Sequence, residues 1–246
     1  MTEDLAFFII AGFIAQLIDG SLGMAYGVTA SSLLLGMGLP PAVVSSTVHA
    51  AECFSTGASA ASHHIFGNVH KKLFKKLVVP GVAGAIVGAY ILTQLDGDII
   101  KPYIALYLLL MGIVIIFKAF KKIPQKDVNK HITPLGFFGA LIDTVGGGGW
   151  GPIVASNLVA RGQDVRNTVG SVNAAEFFVT LAASLTFLFT IGFSHPQVIV
   201  GLAIGGVLAA PIAAYLTKRI PVKPFMIAVG LLVIGLSIRT MWKVWG

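Results

Sequence analysis

Four carboxylates lie in stretches of the sequence that are otherwise apolar: Asp19, Glu52, Asp143 and Glu176. An ionisable side chain at membrane depth is costly, so each of these residues is a functional candidate. Three interpretations are open. The carboxylates cap helix ends by accepting backbone hydrogen bonds, they carry protons that are coupled to transport, or they coordinate a cation.

A glycine-rich segment follows each of the two aspartates. The first is Gly23–Gly27 and the second is Gly146–Gly151, which Pro152 follows. Non-helical backbone inside a membrane persists only where protein or water satisfies its hydrogen bonds. The helix that restarts after such a break presents N–H groups without intrahelical partners and the positive end of its dipole, which together suit an anion. The predicted backbone ligands are Gly23, Gly27, Gly147, Gly148, Gly149 and Gly151.

The alternative is that these glycines only let helices approach closely. That role is expected at Gly84-xxx-Gly88 and Gly201-xxx-Gly205, where small residues recur with helical spacing. Four consecutive glycines beside an aromatic residue favour a binding role instead.

Polar and aromatic side chains accompany both segments. Tyr26 and Trp150 hold corresponding positions and offer an O–H and an N–H to an anion, although packing explains either ring alone. His49 lies one helical turn before Glu52, as Asn173 does before Glu176, so each pair shares a helix face. The hydroxyls of Ser46 and Ser171 complete the predicted binding set.

The two sets belong to an internal repeat. A shift of 124 residues aligns residues 17–60 with 141–184 without a gap, and 15 of the 44 aligned positions are identical. Chance would give about four identities in so biased a composition. The chain is therefore predicted to be a duplication, with one copy over about 1–122 and the other over about 131–246.

Each copy is predicted to contain two half-helices that flank the break, followed by three membrane-spanning helices. Fifteen helical residues rise only about 22 Å, against a hydrocarbon core of about 30 Å. The predicted segments are 5–19, 27–38, 42–66, 77–95 and 102–120 in the first copy, and 132–143, 152–161, 166–190, 197–217 and 222–243 in the second.

The composition agrees with an all-α membrane protein that forms one transmembrane domain. Hydrophobic residues make up 56% of the 246 positions, charged residues make up 11%, and the mean hydropathy is +0.87. The acidic start, Met1–Asp4, lacks the basic region of a secretory signal. The sequence has no nucleophile–base pair, metal-ligand spacing or nucleotide-binding motif, so we expect no enzyme activity, no cofactor and no metal.

The basic residues predict an orientation. Fourteen of the seventeen lysines and arginines fall in or beside segments 71–76, 118–130, 161–166 and 218–223. If these segments are cytoplasmic, both termini are external and the two copies run in opposite directions, although Arg239 and Lys243 oppose this assignment. Because the net charge of +7 flanks apolar spans, nucleic-acid binding is not expected.

The pattern Ile18–Gly27, its glycine-rich echo at 143–151 and the paired Ala-Ala-Glu segments resemble the TauE/SafE sulfite-exporter family, also called the toluene sulfonate uptake permeases. The resemblance implies secondary transport of sulfur oxyanions such as sulfite or sulfonates, mostly outward across the bacterial inner membrane. The expected partners are therefore a small anion and the lipid bilayer.

These observations predict alternating access around an anion site at two half-helix N-termini near the membrane midplane. The alternatives are a cation or metal transporter that uses the intramembrane Asp, Glu and His residues, and a membrane enzyme or assembly subunit. The sequence leaves the oligomeric state open, a homo-oligomer included.

Overall fold

The computed structural model describes residues 5–120, 131–160, 164–217 and 222–245, and within these residues the regular structure is entirely helical. The first copy contains α1 (Leu5–Leu22), α2 (Tyr26–Gly36), α3 (Pro41–Ile65), α4 (Lys71–Gln94) and α5 (Gly97–Phe120). The second contains α6 (Ile132–Gly146), a π-helical turn (Gly151–Ala155) that continues as α7 (Ser156–Ala160), α8 (Val165–Thr190), α9 (Pro196–Leu216) and α10 (Val222–Trp245).

The predicted helical segments are confirmed in number and order, but several boundaries differ; for example, α5 begins at Gly97 rather than at 102, and α6 ends at Gly146 rather than at 143. Helix α1 has 18 residues and rises about 27 Å, so it is longer than the predicted half-helix. Helix α4 begins at Lys71 and includes the lysine run. The His70 side chain caps its start by accepting a hydrogen bond from the Leu73 N–H at 3.3 Å. The segment after the second break starts as a π-helical turn, and residue 161 lies outside the described residues.

Among the described residues, six helices are long and apolar enough to cross a membrane: Leu5–Leu22, Lys71–Gln94, Gly97–Phe120, Val165–Thr190, Pro196–Leu216 and Met226–Lys243. The 25-residue helix α3 is long enough but too polar to qualify. Its hydroxyls, its carboxylate and the imidazoles of His49 and His63 are buried against other helices, so most of α3 lies in the interior of the bundle.

The helices of one copy pack mainly on those of the other. Helix α1 packs on α9 and the corresponding helix α6 packs on α4, while α3 packs on α8 and α5 on α10. The hydroxyls of Thr56 and Thr180, which are equivalent in the repeat, lie 3.3 Å apart. Equivalent residues meet in this way where a local two-fold axis passes between them. The opposite direction of the two copies across a bilayer stays a prediction.

Close helix packing at the spaced glycines is confirmed. A methyl group on Gly84 of α4 would overlap the Phe137 carbonyl of α6, and one on Gly205 of α9 would overlap the Ile9 carbonyl of α1. These two contacts join corresponding helix pairs. Since the backbones touch, no side chain larger than hydrogen fits there without moving the helices apart.

We predict that Gly84→Ala and Gly205→Ala each lower the unfolding temperature of the detergent-purified protein, because overpacking costs about 1–3 kcal/mol. Gly235→Ala is the matched control, since nothing lies within 4 Å of the added methyl in α10. It should be neutral or stabilising, because alanine favours a helix by about 0.5–1 kcal/mol over glycine. Equal unfolding temperatures for Gly84→Ala and Gly235→Ala would contradict the prediction.

Candidate functional site

The two helix breaks touch each other at the centre of the bundle. A methyl group on Gly27 would lie 2.8 Å from the Gly148 Cα, and one on Gly151 would overlap the Met24 backbone. These two contacts are equivalent in the repeat, since a shift of 124 residues exchanges them. The starts of the two half-helices, Tyr26 and Gly151, therefore adjoin.

The backbone of the two breaks is similar but not identical. Gly23 and Gly147 are equivalent, and their φ values of 71° and 73° lie in the left-handed region that favours glycine. Ala25, which stands where the second copy has Gly149, has a φ of 109°. A side chain held there costs about 1–3 kcal/mol, so the first break is the more strained of the two.

Each break is closed by the aspartate that precedes it. The Tyr26 N–H donates to Asp19 Oδ1 at 3.5 Å, and the Trp150 N–H donates to Asp143 Oδ1 at 2.9 Å. Both bonds span seven residues and both carboxylates are buried. Each aspartate thus accepts a first-turn N–H of the restarting helix, as the capping interpretation of these residues requires.

The carbonyl groups around the second break accept hydrogen bonds from side chains of the first copy. The Tyr107 hydroxyl donates to the Gly148 carbonyl at 2.8 Å, the Ser45 hydroxyl to the Thr144 carbonyl at 2.6 Å, and the Ser31 hydroxyl to the Gly147 carbonyl. Near the first break, the His63 imidazole bonds the Gly20 carbonyl at 2.8 Å. Protein groups thus satisfy backbone that water cannot reach.

His49 of the first copy contacts Asp143 of the second. The His49 Nδ1 lies 2.8 Å from the Ser45 carbonyl, which can only accept, so Nδ1 carries a hydrogen. The His49 Nε2 lies 3.2 Å from Asp143 Oδ2. A neutral imidazole with its hydrogen on Nδ1 and an ionised carboxylate present only lone pairs to each other. A hydrogen bond at this contact therefore requires a hydrogen on Nε2 or on the carboxyl.

The equivalent pair in the repeat, Asn173 and Asp19, lacks this contact. Asn173 replaces His49 in the repeat, and its side chain turns to Ser59, whose hydroxyl donates to the Asn173 carbonyl oxygen at 2.8 Å. Asp19 Oδ2 has no hydrogen-bond partner although it is buried. The two halves thus contribute unequally, since a histidine contacts Asp143 and none contacts Asp19.

The glutamates complete a group of four carboxylates that are close enough to interact electrostatically. A methyl group on Gly27 would lie 3.7 Å from Glu52 Oε1, which places this carboxylate beside the junction of the breaks. Glu176 Oε2 is buried without a partner. An unpaired buried carboxylate oxygen is expensive, which sets Asp19 and Glu176 apart from the capping oxygen of Asp143.

The aromatic residues at the breaks already use their hydrogen-bond donors. The Tyr26 hydroxyl donates to the Leu202 carbonyl at 3.2 Å, and the Trp150 indole N–H donates to the Val172 carbonyl at 3.3 Å. Both rings are buried. In this conformation they wall the junction and anchor it to α9 and α8.

The hydroxyls of the two predicted serines, Ser46 and Ser171, form hydrogen bonds with residues outside the helix breaks. The Ser46 hydroxyl donates to the Val43 carbonyl within α3, and Ser171 accepts from the His70 N–H at 2.8 Å in the connection before α4. A substrate role for either residue stays a prediction. In the part of the chain that the structure describes, no three His, Cys, Asp or Glu side chains converge on a metal position.

The sequence does not predict several of the side-chain contacts at the second break. Tyr107 sits in an ordinary apolar span, and nothing in its surroundings marks it as a partner of Gly148. Lys118 lies in a basic segment that predicts orientation, yet its ammonium also donates to the Pro152 carbonyl at 2.8 Å. Ser45 adjoins a predicted residue, and its polarity in an apolar stretch is the one signal available.

An all-helical bundle of apolar spans, with its buried polar groups gathered at two broken helices, defines a multi-pass membrane transporter. The chain belongs to the sulfite exporter TauE/SafE family, whose profile matches residues 8–240.

Two relatives carry related names. The probable membrane transporter protein YtnM of Bacillus subtilis (strain 168) is 43% identical over 253 residues, which cover 99% of this chain and 84% of that protein. The probable membrane transporter protein ORF9 of Sinorhizobium sp. is 28% identical over 206 residues, with 83% and 74% covered. Both names describe a transporter rather than an enzyme. No solved structure matches the chain.

We predict that Asp143→Ala lowers the unfolding temperature more than Asp143→Asn does. Alanine leaves the buried Trp150 N–H without its acceptor, which costs about 1–3 kcal/mol. Asparagine keeps the Oδ1 acceptor and offers its NH2 to His49 Nε2 without an extra proton. Thermal unfolding of both variants in detergent measures the difference, and identical transitions would mean that the carboxylate does not cap the helix.

Proposed function

We propose that this protein is a secondary transporter of small sulfur-containing oxyanions, sulfite or a sulfonate, which bind where the two helix breaks meet. The observation that carries the proposal is the direct contact between the breaks, with Gly27 against Gly148 and Gly151 against Met24. Two half-helices then begin at one place, and their N–H groups and dipoles favour negative charge. The family description adds sulfite as the substrate class.

The burial of the site supports alternating access. All twelve predicted binding residues and all four carboxylates are buried. A substrate therefore reaches the junction only when helices separate on one side or the other. Because the helices pair across the copies, as α1 does with α9 and α6 with α4, the units that move to open the site each contain helices of both copies. We place both termini outside and the protein in the bacterial inner membrane, following the distribution of basic residues.

The carboxylates set a condition on anion binding. Asp143 already offers negative charge to the half-helix at Trp150, and Glu52 lies beside Gly27. An oxyanion next to ionised carboxylates is repelled, strongly so where water is scarce. A proton at the contact between His49 and Asp143 removes one of these charges. We therefore include in the proposal that substrate and proton occupy the centre together, which makes transport responsive to a pH difference.

We predict that proteoliposomes containing the protein release labelled sulfite faster than protein-free vesicles, and that Gly27→Ala abolishes this difference. The added methyl would press on the Gly148 backbone at 2.8 Å, so it narrows the junction without requiring a positive φ. Gly36→Ala is the matched control on α2, because its methyl meets its nearest neighbour at an ordinary 3.7 Å. Gly36→Ala should retain wild-type flux.

Thermal unfolding checks that both variants are folded. Wild-type flux in a folded Gly27→Ala variant would contradict the site assignment. Flux equal to that of empty vesicles for the wild-type protein would remove sulfite as the substrate, and the same vesicles loaded with a sulfonate then test the other member of the class.

We predict that His49→Asn makes sulfite flux insensitive to an imposed pH difference. The substitution places in the first copy the residue that the second copy has at position 173, and an amide cannot gain or lose a proton near neutral pH. Flux is measured with and without a pH gradient. His131→Asn, an exposed histidine before α6, is the control and should keep the wild-type response. A full pH response in His49→Asn would exclude coupling through this pair.

A further inference from the structure

A cavity lies between α3, α4 and α8, away from the helix breaks. It has a volume of about 320 Å³, at the lower end of the range for ligand pockets. Its wall is almost wholly apolar, and the rings of Phe74 and Phe178 meet edge to face there with centroids 5.8 Å apart. We call it the α4 crevice; it is lined by Ala60, His64, Val69, Lys71, Phe74, Lys75, Ala174 and Phe178.

Two lysines give the α4 crevice positive charge. Lys71 and Lys75 line it from successive turns of α4, and both side chains are exposed, as is that of His64. Like charges four residues apart on a helix repel each other. No aspartate or glutamate occurs in the sequence between Glu52 and Asp96, so this stretch supplies no acid to neutralise them. An external anion between the two lysines relieves the repulsion.

The depth of the crevice in the membrane matches this charge. Helix α4 is one of the spans long and apolar enough to cross a bilayer, and it begins at Lys71. Its first turns therefore lie where lipid phosphates lie, and the apolar wall continues from there toward the hydrocarbon. Val79, one turn beyond Lys75 on the same face, is 72% exposed and extends this apolar surface.

We propose that the α4 crevice binds an anionic phospholipid, with the phosphate between Lys71 and Lys75 and an acyl chain against Phe74 and Phe178. The crevice suits this occupant better than a small hydrophilic anion, because a ligand without an apolar part would leave nearly all of the apolar wall without a favourable contact. It suits a zwitterionic lipid less, because no acidic side chain lines it to accept the positive group. The site is independent of the proposed substrate.

Native mass spectrometry of the purified protein tests the proposal, with phosphatidylglycerol and phosphatidylcholine of identical acyl chains as probes. We expect preferential retention of phosphatidylglycerol, and about five-fold weaker binding in Lys75→Ala, since one basic residue near a membrane surface changes affinity by about that factor. Lys72→Ala is the charge-matched control, because Lys72 belongs to the same run but does not line the crevice. It should bind phosphatidylglycerol like the wild-type protein.

Ala60→Phe is the second variant, which fills the apolar part and keeps every cation. It should weaken lipid binding while thermal unfolding shows that the protein is folded. Equal losses in Lys72→Ala and Lys75→Ala, or unchanged binding in Ala60→Phe, would reduce the effect to general attraction by basic residues and overturn the site. Glycerol phosphate without acyl chains should not compete; competition at equal concentration would overturn the lipid as the occupant.

Discussion

Backbone polar groups that leave a helix inside a membrane must find partners in the protein, and the structure depends on how this chain meets that demand. The Asp143 carboxylate accepts from the Trp150 N–H, while hydroxyls of Ser45 and Tyr107 donate to the Thr144 and Gly148 carbonyls. These hydroxyls come from the first copy and the break belongs to the second. The second break therefore takes hydrogen bonds from both copies, so the contact between the copies supports the backbone of the site.

Equivalent positions of the repeat form the two halves of the site, and some of these positions hold different residues in the two copies. Asp19 and Asp143 accept equivalent N–H groups. Only Asp143 has a histidine beside it, because the first copy supplies His49 where the second supplies Asn173. The centre is therefore symmetric in its capping aspartates and asymmetric in its histidine.

Glycine serves two separate purposes in this fold. At Gly84 and Gly205 it lets helix backbones touch, which packs α4 on α6 and α1 on α9. At Gly23 and Gly147 it permits a left-handed φ that turns the chain between half-helices. The close-packing interpretation is therefore confirmed for the spaced glycines, while anion binding by the glycines of the breaks stays a prediction.

The sequence by itself determined the class of protein, the duplication, the helical segments and the residues of the breaks, because apolar length, repeat identity and glycine runs are written along the chain. It also placed the four carboxylates, because a charge in an apolar stretch stands out. Only the tertiary structure decided that Asp143 faces His49, that Tyr107 and Ser31 serve the second break, and that Ser171 bonds the His70 N–H instead. These contacts join residues about 40 to 116 positions apart, and no local pattern encodes which distant donor meets which carbonyl.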